Sequence, residues 1–231
     1  MKQLDILFIH PNASKRIYQD LSANYSAIEP PIWAGMLCSH CLIKGFGAEI
    51  LDAEALHLTD DEAAKIVKQH NPRAACFVVY GQQPSASSQN MEGAVSLAEN
   101  VKALCPDTKI CFVGGHIAAL SREVMQRHSC IDFVCQNEGV YTISNLLKTN
   151  LKDKLGNVPG LGYRDNGQII LNPPSPIVEK ADLPRELPGV AWDKLPMDKY
   201  RTALWHALPN NCEREPFVAL YTSLGCPMKC S

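Results

Sequence analysis

The sequence predicts an α/β domain, a five-stranded parallel sheet with helices on both faces. Three observations predict it. Short apolar runs alternate with helix-period patterns through the first 150 residues. One run, Ala74–Tyr80, is apolar without alternation, as a strand buried on both faces requires. A helix-start signal, Thr59 with Glu62 three positions on, follows one of the runs as a capping box.

Leu4–Ile9 is the first strand. The irregular stretch that follows, up to Pro30-Pro31, is long for a compact domain, which marks either a functional segment or a tolerated insertion. Pro31–Phe46 is a helix with proline in its first turn. Ala48–Leu51 is the second strand, Thr59–Gln69 a helix and Ala74–Tyr80 the third strand. Met91, Ala94, Val95, Ala98 and Val101 repeat at helical spacing ahead of Pro106. Lys109–Val113 is a strand, Ala118–Arg127 a helix, Ile131–Cys135 a strand and Val140–Lys148 a helix. The expected strand order is 2-1-3-4-5, the flavodoxin-like (Rossmann-like) arrangement, whose ligands bind beyond the carboxyl ends of the strands.

Residues 151–215 change character. They are proline-rich, without a long periodic helix, and read as a linker. Within it, Gly162–Ile170 is a hairpin around Asp165-Asn166-Gly167. Trp192 and Tyr200 are placed to dock onto a neighbouring domain. Phe217–Tyr221 is a final strand, opening a segment over 216–231.

The chain has 231 residues, 46% hydrophobic and 20% charged, which excludes disordered and fibrous classes. Twenty-two basic against 24 acidic residues leave a net charge of −2, so there is no basic footprint for nucleic acid. No apolar run reaches the ~20 residues of a membrane span, and Met1–Asp5 lacks a signal peptide's pattern. The expectation is a cytoplasmic chain whose ten cysteines are thiols or metal ligands. Cys38 and Cys41 flank His40 at helical spacing, but zinc needs two further ligands and none is evident. Cys76, Cys111 and Cys135 lie in strands as small hydrophobes.

Function is sought at the strand ends. After the first strand comes His10-Pro11-Asn12-Ala13-Ser14; a histidine there is more often satisfied by a neighbouring backbone group than bound to metal. After the third come Tyr80, Gly81, Gln82, Ser85, Ser87 and Ser88, dense in hydroxyls and amides and without charge. These either hydrogen-bond a neutral polar ligand or cap the next helix. Gly114-Gly115-His116 lets a ligand lie on bare backbone with φ above zero, or is simply a tight turn. In Asn137-Glu138-Gly139, Glu138 bonds a ligand hydroxyl or caps locally. Together they describe a Gly-lined, polar, uncharged pocket. It is not a phosphate cradle, since no Lys or Arg joins the glycines and GxxxxGK[ST] is absent. A receiver domain needs an aspartate where Tyr80-Gly81 stands.

With Pro30-Pro31, Pro84–Ser88, Gly114-Gly115-His116 and Asn137-Glu138-Gly139 in place, the stretch Leu4–Lys148 resembles the cobalamin-binding domain of cobalamin-dependent radical S-adenosylmethionine (SAM) enzymes. That family usually reads Gly-Glu-Gly-Glu where this chain has Asn137 first and Val140 last. The resemblance implies a cofactor tail flanked by the Ser-rich loop and the Gly-Gly turn, with the corrin across the strand ends. The implied contacts are Pro11, Asn12, Tyr80, Gly81, Gln82, Ser85, Ser87, Ser88, Gly114, Gly115, His116, Glu138 and Gly139. The Asp-x-His-x-x-Gly motif of methylcobalamin-dependent synthases and mutases is absent; the stretch reads His10-Pro11-Asn12-Ala13-Ser14-Lys15. This implies base-off cobalamin without a histidine ligand.

Near the end, Gly225-Cys226-Pro227-Met228-Lys229-Cys230 resembles the opening of the radical SAM motif Cys-x-x-x-Cys-x-x-Cys. The resemblance implies that Cys226 and Cys230 are two of three thiolates on a [4Fe–4S] cluster, with SAM on the fourth iron. The third cysteine would fall two positions past Ser231. The expectation is therefore an incomplete enzyme, inactive alone, of methyl transfer or related radical carbon chemistry on a small molecule, served by an electron donor. Its catalytic residues are not identifiable. The alternatives are a stand-alone cobalamin carrier and an FMN module. The FMN module is the weaker, because His10–Ser14 supplies only Ser14 for a phosphate.

Overall fold

The computed structural model describes residues 3–22, 24–80, 84–204, 213–221 and 224. Seven strands form one sheet: β1 (Ile6–His10), β2 (Ala48–Asp52), β3 (Ala74–Val78), β4 (Lys109–Val113), β5 (Phe133–Cys135), β6 (Leu161–Asp165) and β7 (Gln168–Leu171). Their order is β2-β1-β3-β4-β5-β6-β7. The first five are parallel in the expected 2-1-3-4-5 order, and β6 and β7 continue the sheet antiparallel beyond β5.

Every residue of β1, β3 and β5 is buried, so the alternating side chains feed two cores. On one side Phe8, Cys76, Cys111 and Cys135 pack beneath α2 (Ile32–Ile43) and α7 (Val140–Lys148). On the other, Leu7, Ile9, Phe77, Phe112 and Val134 pack beneath α3 (Asp60–His70), α4 (Pro84–Leu104), α5 (Gly115–Ala119) and α6 (Ser121–Arg127). Phe77 and Phe112 are partners in register, and their rings stack with centroids 4.9 Å apart. The strand cysteines are buried free thiols, as expected of small hydrophobes. Among the described residues no three His, Cys, Asp or Glu are placed to hold a metal. Also among these residues, no helix is long and apolar enough to cross a membrane.

The Thr59–Glu62 capping box forms in both directions, and Pro31 stands at the mouth of α2. Four expectations need correction. The stretch after β1 is not wholly irregular; it holds a short helix, α1 (Ser14–Tyr18), and a 3-10 turn over Gln19–Ser22. The Ser-rich loop is helix from Pro84 onward, so Ser87 and Ser88 lie in the first turns of α4. Those turns are polar and carry no apolar period, while Pro84 has the fixed φ that a first turn accepts. The helix expected over Ala118–Arg127 starts at Gly115 and is broken at Leu120, which takes φ −127° and ψ 38° between α5 and α6. Finally, Phe217–Tyr221 is not a strand. Among the described residues it has no sheet neighbour, and a strand exists only through its ladder.

The hairpin forms where expected, with φ 47° at Asn166 and 81° at Gly167, the two positive values a type I′ turn demands. It does not stand apart. β6 pairs with β5, and the Arg164 guanidinium donates to the carbonyls of Met125, His128 and Ile131 around the end of α6. The chain then passes α8 (Leu183–Glu186) and runs back over α2. There Glu186 pairs with Lys44 at 2.8 Å, Leu187, Ala191 and Leu195 are buried, and Ala191 N–H donates to Gly35 O. Trp192 is half-buried and Tyr200 fully buried, so both dock as expected, but onto this same sheet domain.

A β-carbon at Gly35 would stand 2.3 Å from Val190 Cγ1. Gly35→Ala is therefore expected to cost about 1–3 kcal/mol by overpacking, although alanine favours helix by about 1 kcal/mol over glycine. Trimming the other partner, in Gly35→Ala/Val190→Ala, recovers most of that loss. Urea unfolding of the two variants checks this; equal midpoints would refute the contact.

Candidate functional site

The carboxyl ends of the five parallel strands form one edge. At the end of β1, Pro11 is buried, and Asn12 is committed at both ends of its amide. Its Nδ2 donates to Leu58 O at 3.1 Å and its Oδ1 accepts from Ser14 Oγ at 3.1 Å. His10 is buried beside two carboxylates. Its Nε2 lies 3.1 Å from Glu54 Oε2, and its register partner is Asp52. It finds the backbone partner that was expected, Val78, and a carboxylate side chain besides. Burial opposes charge on this ring, but Asp52, Glu54 and the Val78 carbonyl outweigh it and raise the pKa to about 9. Burial pushes the Asp52 carboxyl upward, against His10, the Ala55 N–H at 3.0 Å and the Tyr200 hydroxyl at 2.8 Å.

Between β3 and β4 the chain is tightest. A β-carbon on Gly114 would lie 2.2 Å from Val79 O. Gly114 is extended, at φ 160°, so its role is close backbone approach, not the positive φ the paired glycines were expected to supply. Ser87 bridges the two turns, its hydroxyl donating to Val79 O at 2.5 Å and accepting from His116 N–H at 2.9 Å. Ser88 Oγ lies 2.9 Å from His116 Nδ1, and Asn90 Nδ2 donates to Tyr80 O at 3.2 Å. Ser87 is buried, whereas Ser88 and Gly115 face solvent.

Beyond β5, Gly139 does take a positive φ, 84°, and its β-carbon would lie 2.9 Å from Val113 Cγ2. The Asn137 side chain accepts from Gly139 N–H and donates to Ser175 O, both at 3.2 Å. Glu138 is exposed, and its carbonyl accepts from Trp33 Nε1 at 2.9 Å. The Trp33 ring sits 5.7 Å from the Tyr80 ring. Burial, then Glu138 and Cys135, push the Tyr80 phenol upward, so it stays a protonated donor.

The edge thus joins Ser87, Ser88, Gly114 and His116 in one cluster, and Tyr80, Glu138 and Gly139 in another through Trp33. Asn12 stands apart at β1. Gly81, Gln82, Cys226 and Cys230 lie outside the described residues, as does the side chain of Ser85. Trp33, Asp52 and Glu54 were not foreseen at this edge, and Tyr200 was expected only as a docking residue. Trp33 alone carried a signal, an aromatic in the first turn of a helix that opens at the strand edge.

The two glycines of the β4 turn separate by experiment. Gly114→Ala is expected to lose roughly 3 kcal/mol, because backbone must move. Gly115→Ala stays within about 0.5 kcal/mol, since its β-carbon meets nothing nearer than Ser87 Cβ at 3.8 Å. Ser87→Ala loses about 1–3 kcal/mol by leaving a buried group unpaired. Urea titration of all three gives that order; a tolerated Gly114→Ala would show that the turns do not approach as described.

Known proteins resemble this chain in sequence and in fold. The chain is 28% identical over its whole length to an uncharacterized methyltransferase of Pyrococcus horikoshii, covering 45% of that protein. It is 26% identical over 204 residues to an anaerobic magnesium-protoporphyrin IX monomethyl ester cyclase of Synechocystis, covering 87% of this chain and 37% of the cyclase. It thus spans less than half the length of these curated relatives. Among solved structures, the cobalamin-dependent radical SAM enzyme OxsB with aqua-cobalamin and SAM bound superposes on 83% of this chain and 24% of its own. The TM-score is 0.60 at 18% identity. The radical SAM methyltransferase TsrM from Kitasatospora setae, with tryptophan substrate and a SAM analog bound, covers 76% of this chain and 31% of its own. Its TM-score is 0.57 at 14% identity. These two likenesses establish the fold. The model of the B12 binding domain matches residues 18–147, more than half of the chain, and the chain belongs to that family.

Proposed function

We propose that this chain holds cobalamin across the carboxyl ends of its parallel strands. We further infer that it is the cofactor-holding part of a larger radical SAM enzyme of methyl transfer or related radical carbon chemistry. The observation that carries the reading is the contrast between Gly114 and Gly115. Gly114 is glycine because the Val79 carbonyl leaves no room for a β-carbon. Gly115 is exposed, lacks a positive φ, and a β-carbon there would make only ordinary contact with Ser87 at 3.8 Å, so the fold does not demand a glycine there. Its bareness is explained by a ligand lying on the backbone.

The residues present fit this cofactor. A corrin bears neutral amide groups, which take hydroxyl, carbonyl and amide partners instead of a cationic cradle. Ser88 and Glu138 are exposed at the edge, and Tyr80 with Trp33 supplies an aromatic wall. Gly81, Gln82 and Ser85 follow Tyr80 in the sequence and are proposed to contact the ligand. Ser87 contributes by fixing the two turns, since most of its hydrogen-bonding capacity is used. When bound, cobalamin supplies a transferable alkyl group on cobalt.

In this reading residues 1–150 hold the cofactor, 151–215 connect, and 216–231 begin the radical SAM part. Cys226 and Cys230 give two thiolates of a [4Fe–4S] cluster. The methyl-transfer part of the reading is supported by the methyltransferase relative, and the radical SAM part by the fold shared with OxsB and TsrM.

Absorbance titration of the 231-residue chain with hydroxocobalamin should show saturable one-to-one binding. Gly115→Val should weaken it at least tenfold (~1.4 kcal/mol) with little change in thermal midpoint, because a β-carbon on this exposed residue meets only Ser87, at 3.8 Å. No binding, or undiminished binding by the variant, overturns the cofactor reading. For the cluster, a chain extended through the third cysteine is reconstituted anaerobically with iron and sulfide. Cys226→Ala should lose the cluster and SAM cleavage while keeping cobalamin. A cluster that survives would leave a carrier without radical chemistry as the better account.

A further inference from the structure

We propose that His10 is a fixed imidazolium at the strand ends, and that Tyr200 is the positioning residue that keeps it so by anchoring Asp52. The inference rests on the cobalamin reading for its consequence, which is that His10 presents no lone pair to cobalt. Imidazole ligates a metal only through a deprotonated nitrogen.

The geometry is a chain of four side chains drawn from distant parts of the sequence. Tyr200, fully buried, donates its hydroxyl to Asp52 Oδ2 at 2.8 Å. Burial and Asp52 push the Tyr200 phenol far upward, so it acts only as a donor. The other Asp52 oxygen accepts from Ala55 N–H at 3.0 Å. Asp52 lies across from His10 in the β1–β2 register, and His10 Nε2 meets Glu54 Oε2 at 3.1 Å. The groups that face the ring are Asp52 and Glu54 from β2 and its turn, the Val78 carbonyl from β3, and Glu29 from the stretch before α2. All the charged ones are negative. A neutral imidazole here would leave carboxylates in a buried site with no counter-charge, which is the costlier state.

Tyr200 decides the balance because Asp52 is almost wholly buried, and burial alone favours its neutral acid. Remove the phenol hydroxyl and the carboxylate keeps one backbone donor and His10. Its charge then becomes harder to hold, and the proton on His10 is less firmly retained.

Tyr200 is also not free to drift. Ile28 and Arg201 exchange two backbone hydrogen bonds at 2.9 Å, and Arg214 donates to Asn24 O and Ser26 O at 2.8 Å each. The segment that leads away from the sheet is therefore stitched to the loop that follows β1. A displacement of that segment reaches Asp52 through the Tyr200 hydrogen bond, and His10 through the charge of Asp52 across the β1–β2 register.

The test has two arms. In cobalamin-free protein, nitrogen NMR of His10 across pH 5–10 should show an imidazolium through neutral pH, titrating near 9. Tyr200→Phe, which keeps the ring, and Glu54→Gln, at a partly exposed site, should each lower that midpoint by about one unit or more, tenfold in proton affinity. Stability should carry the same mark. The folded state holds a proton that the unfolded state releases above about 6.5, so stability falls from there up to pH ~9, and His10→Gln flattens the slope. In the second arm, the cob(II)alamin-loaded protein at pH ~8 should give an electron paramagnetic spectrum without nitrogen splitting. Tyr200→Phe should introduce it, and adding His10→Gln should remove it. A neutral His10 at pH 7, or a Tyr200→Phe midpoint equal to wild type, overturns the proposal. Failure of the chain to bind cobalamin overturns the cofactor reading alone, since the first arm needs no cofactor.

Discussion

The Val79 carbonyl occupies the space where a β-carbon on Gly114 would stand, and the edge of the sheet is built around that contact. It brings the β3 and β4 turns close enough for one hydroxyl, Ser87, to bond both, accepting from His116 N–H and donating to Val79 O. Because Ser87 lies in the first turns of α4, the start of that helix is fixed by the same contact. α5 then begins immediately at Gly115. A larger residue at position 114 would part the turns, free Ser87 and shift two helix N-termini together. Interiors packed at crystal density transmit such a displacement instead of absorbing it.

The other end of the sheet shows how a connector becomes structure. β5 has only three residues, and a short strand exposed along one side would leave unpaired backbone groups. The hairpin covers it, with Phe133, Val134 and Cys135 paired to Tyr163, Gly162 and Leu161. Gly162 is small because Val134 and Leu171 side chains crowd its α-carbon. The chain then crosses α2 and reaches the far side of the sheet at Asp52, through Tyr200. One covalent path thus closes both the β5 side and the β2 side.

What the sequence disclosed follows from the range of each interaction. The Thr59–Glu62 box and the Asn166–Gly167 turn were legible because all their partners lie within a few residues. The parallel core was legible because burial on both faces removes the polar alternation from the strands. The helical state of Ser87 and Ser88 was not, since a helix start held by tertiary hydrogen bonds needs no apolar period. Trp33 and Glu138 are 105 residues apart, and Tyr200 and Asp52 148 apart, so no local pattern announces either pair. The glycine pair is the instructive case. Both glycines looked alike in sequence, and only the position of the Val79 carbonyl distinguishes the one the fold requires.

Charge is distributed unevenly along this edge, and that distribution has chemical consequences. Around β3, β4 and β5 the groups that bond across the turns are hydroxyls, backbone carbonyls and amides, with Glu138 turned to solvent. Around β1 and β2, His10, Asp52, Glu54 and Glu29 concentrate ionisable groups in half-buried or buried positions. Asn12, which stands two residues past His10, has its amide satisfied by Leu58 O and Ser14, so it contributes neither charge nor a spare donor pair. A large ligand lying across the edge, as proposed for cobalamin, would therefore meet a neutral hydrogen-bonding half and an ionic half. The neutral half suits recognition of an amide-bearing periphery, where strength comes from many modest bonds. In the ionic half the His10 imidazolium answers part of the carboxylate charge before any ligand arrives. This half offers no positive excess to attract an anion, and His10 is engaged in pairing with Glu54. These side chains accord with the neutral, amide-rich cofactor proposed for the edge.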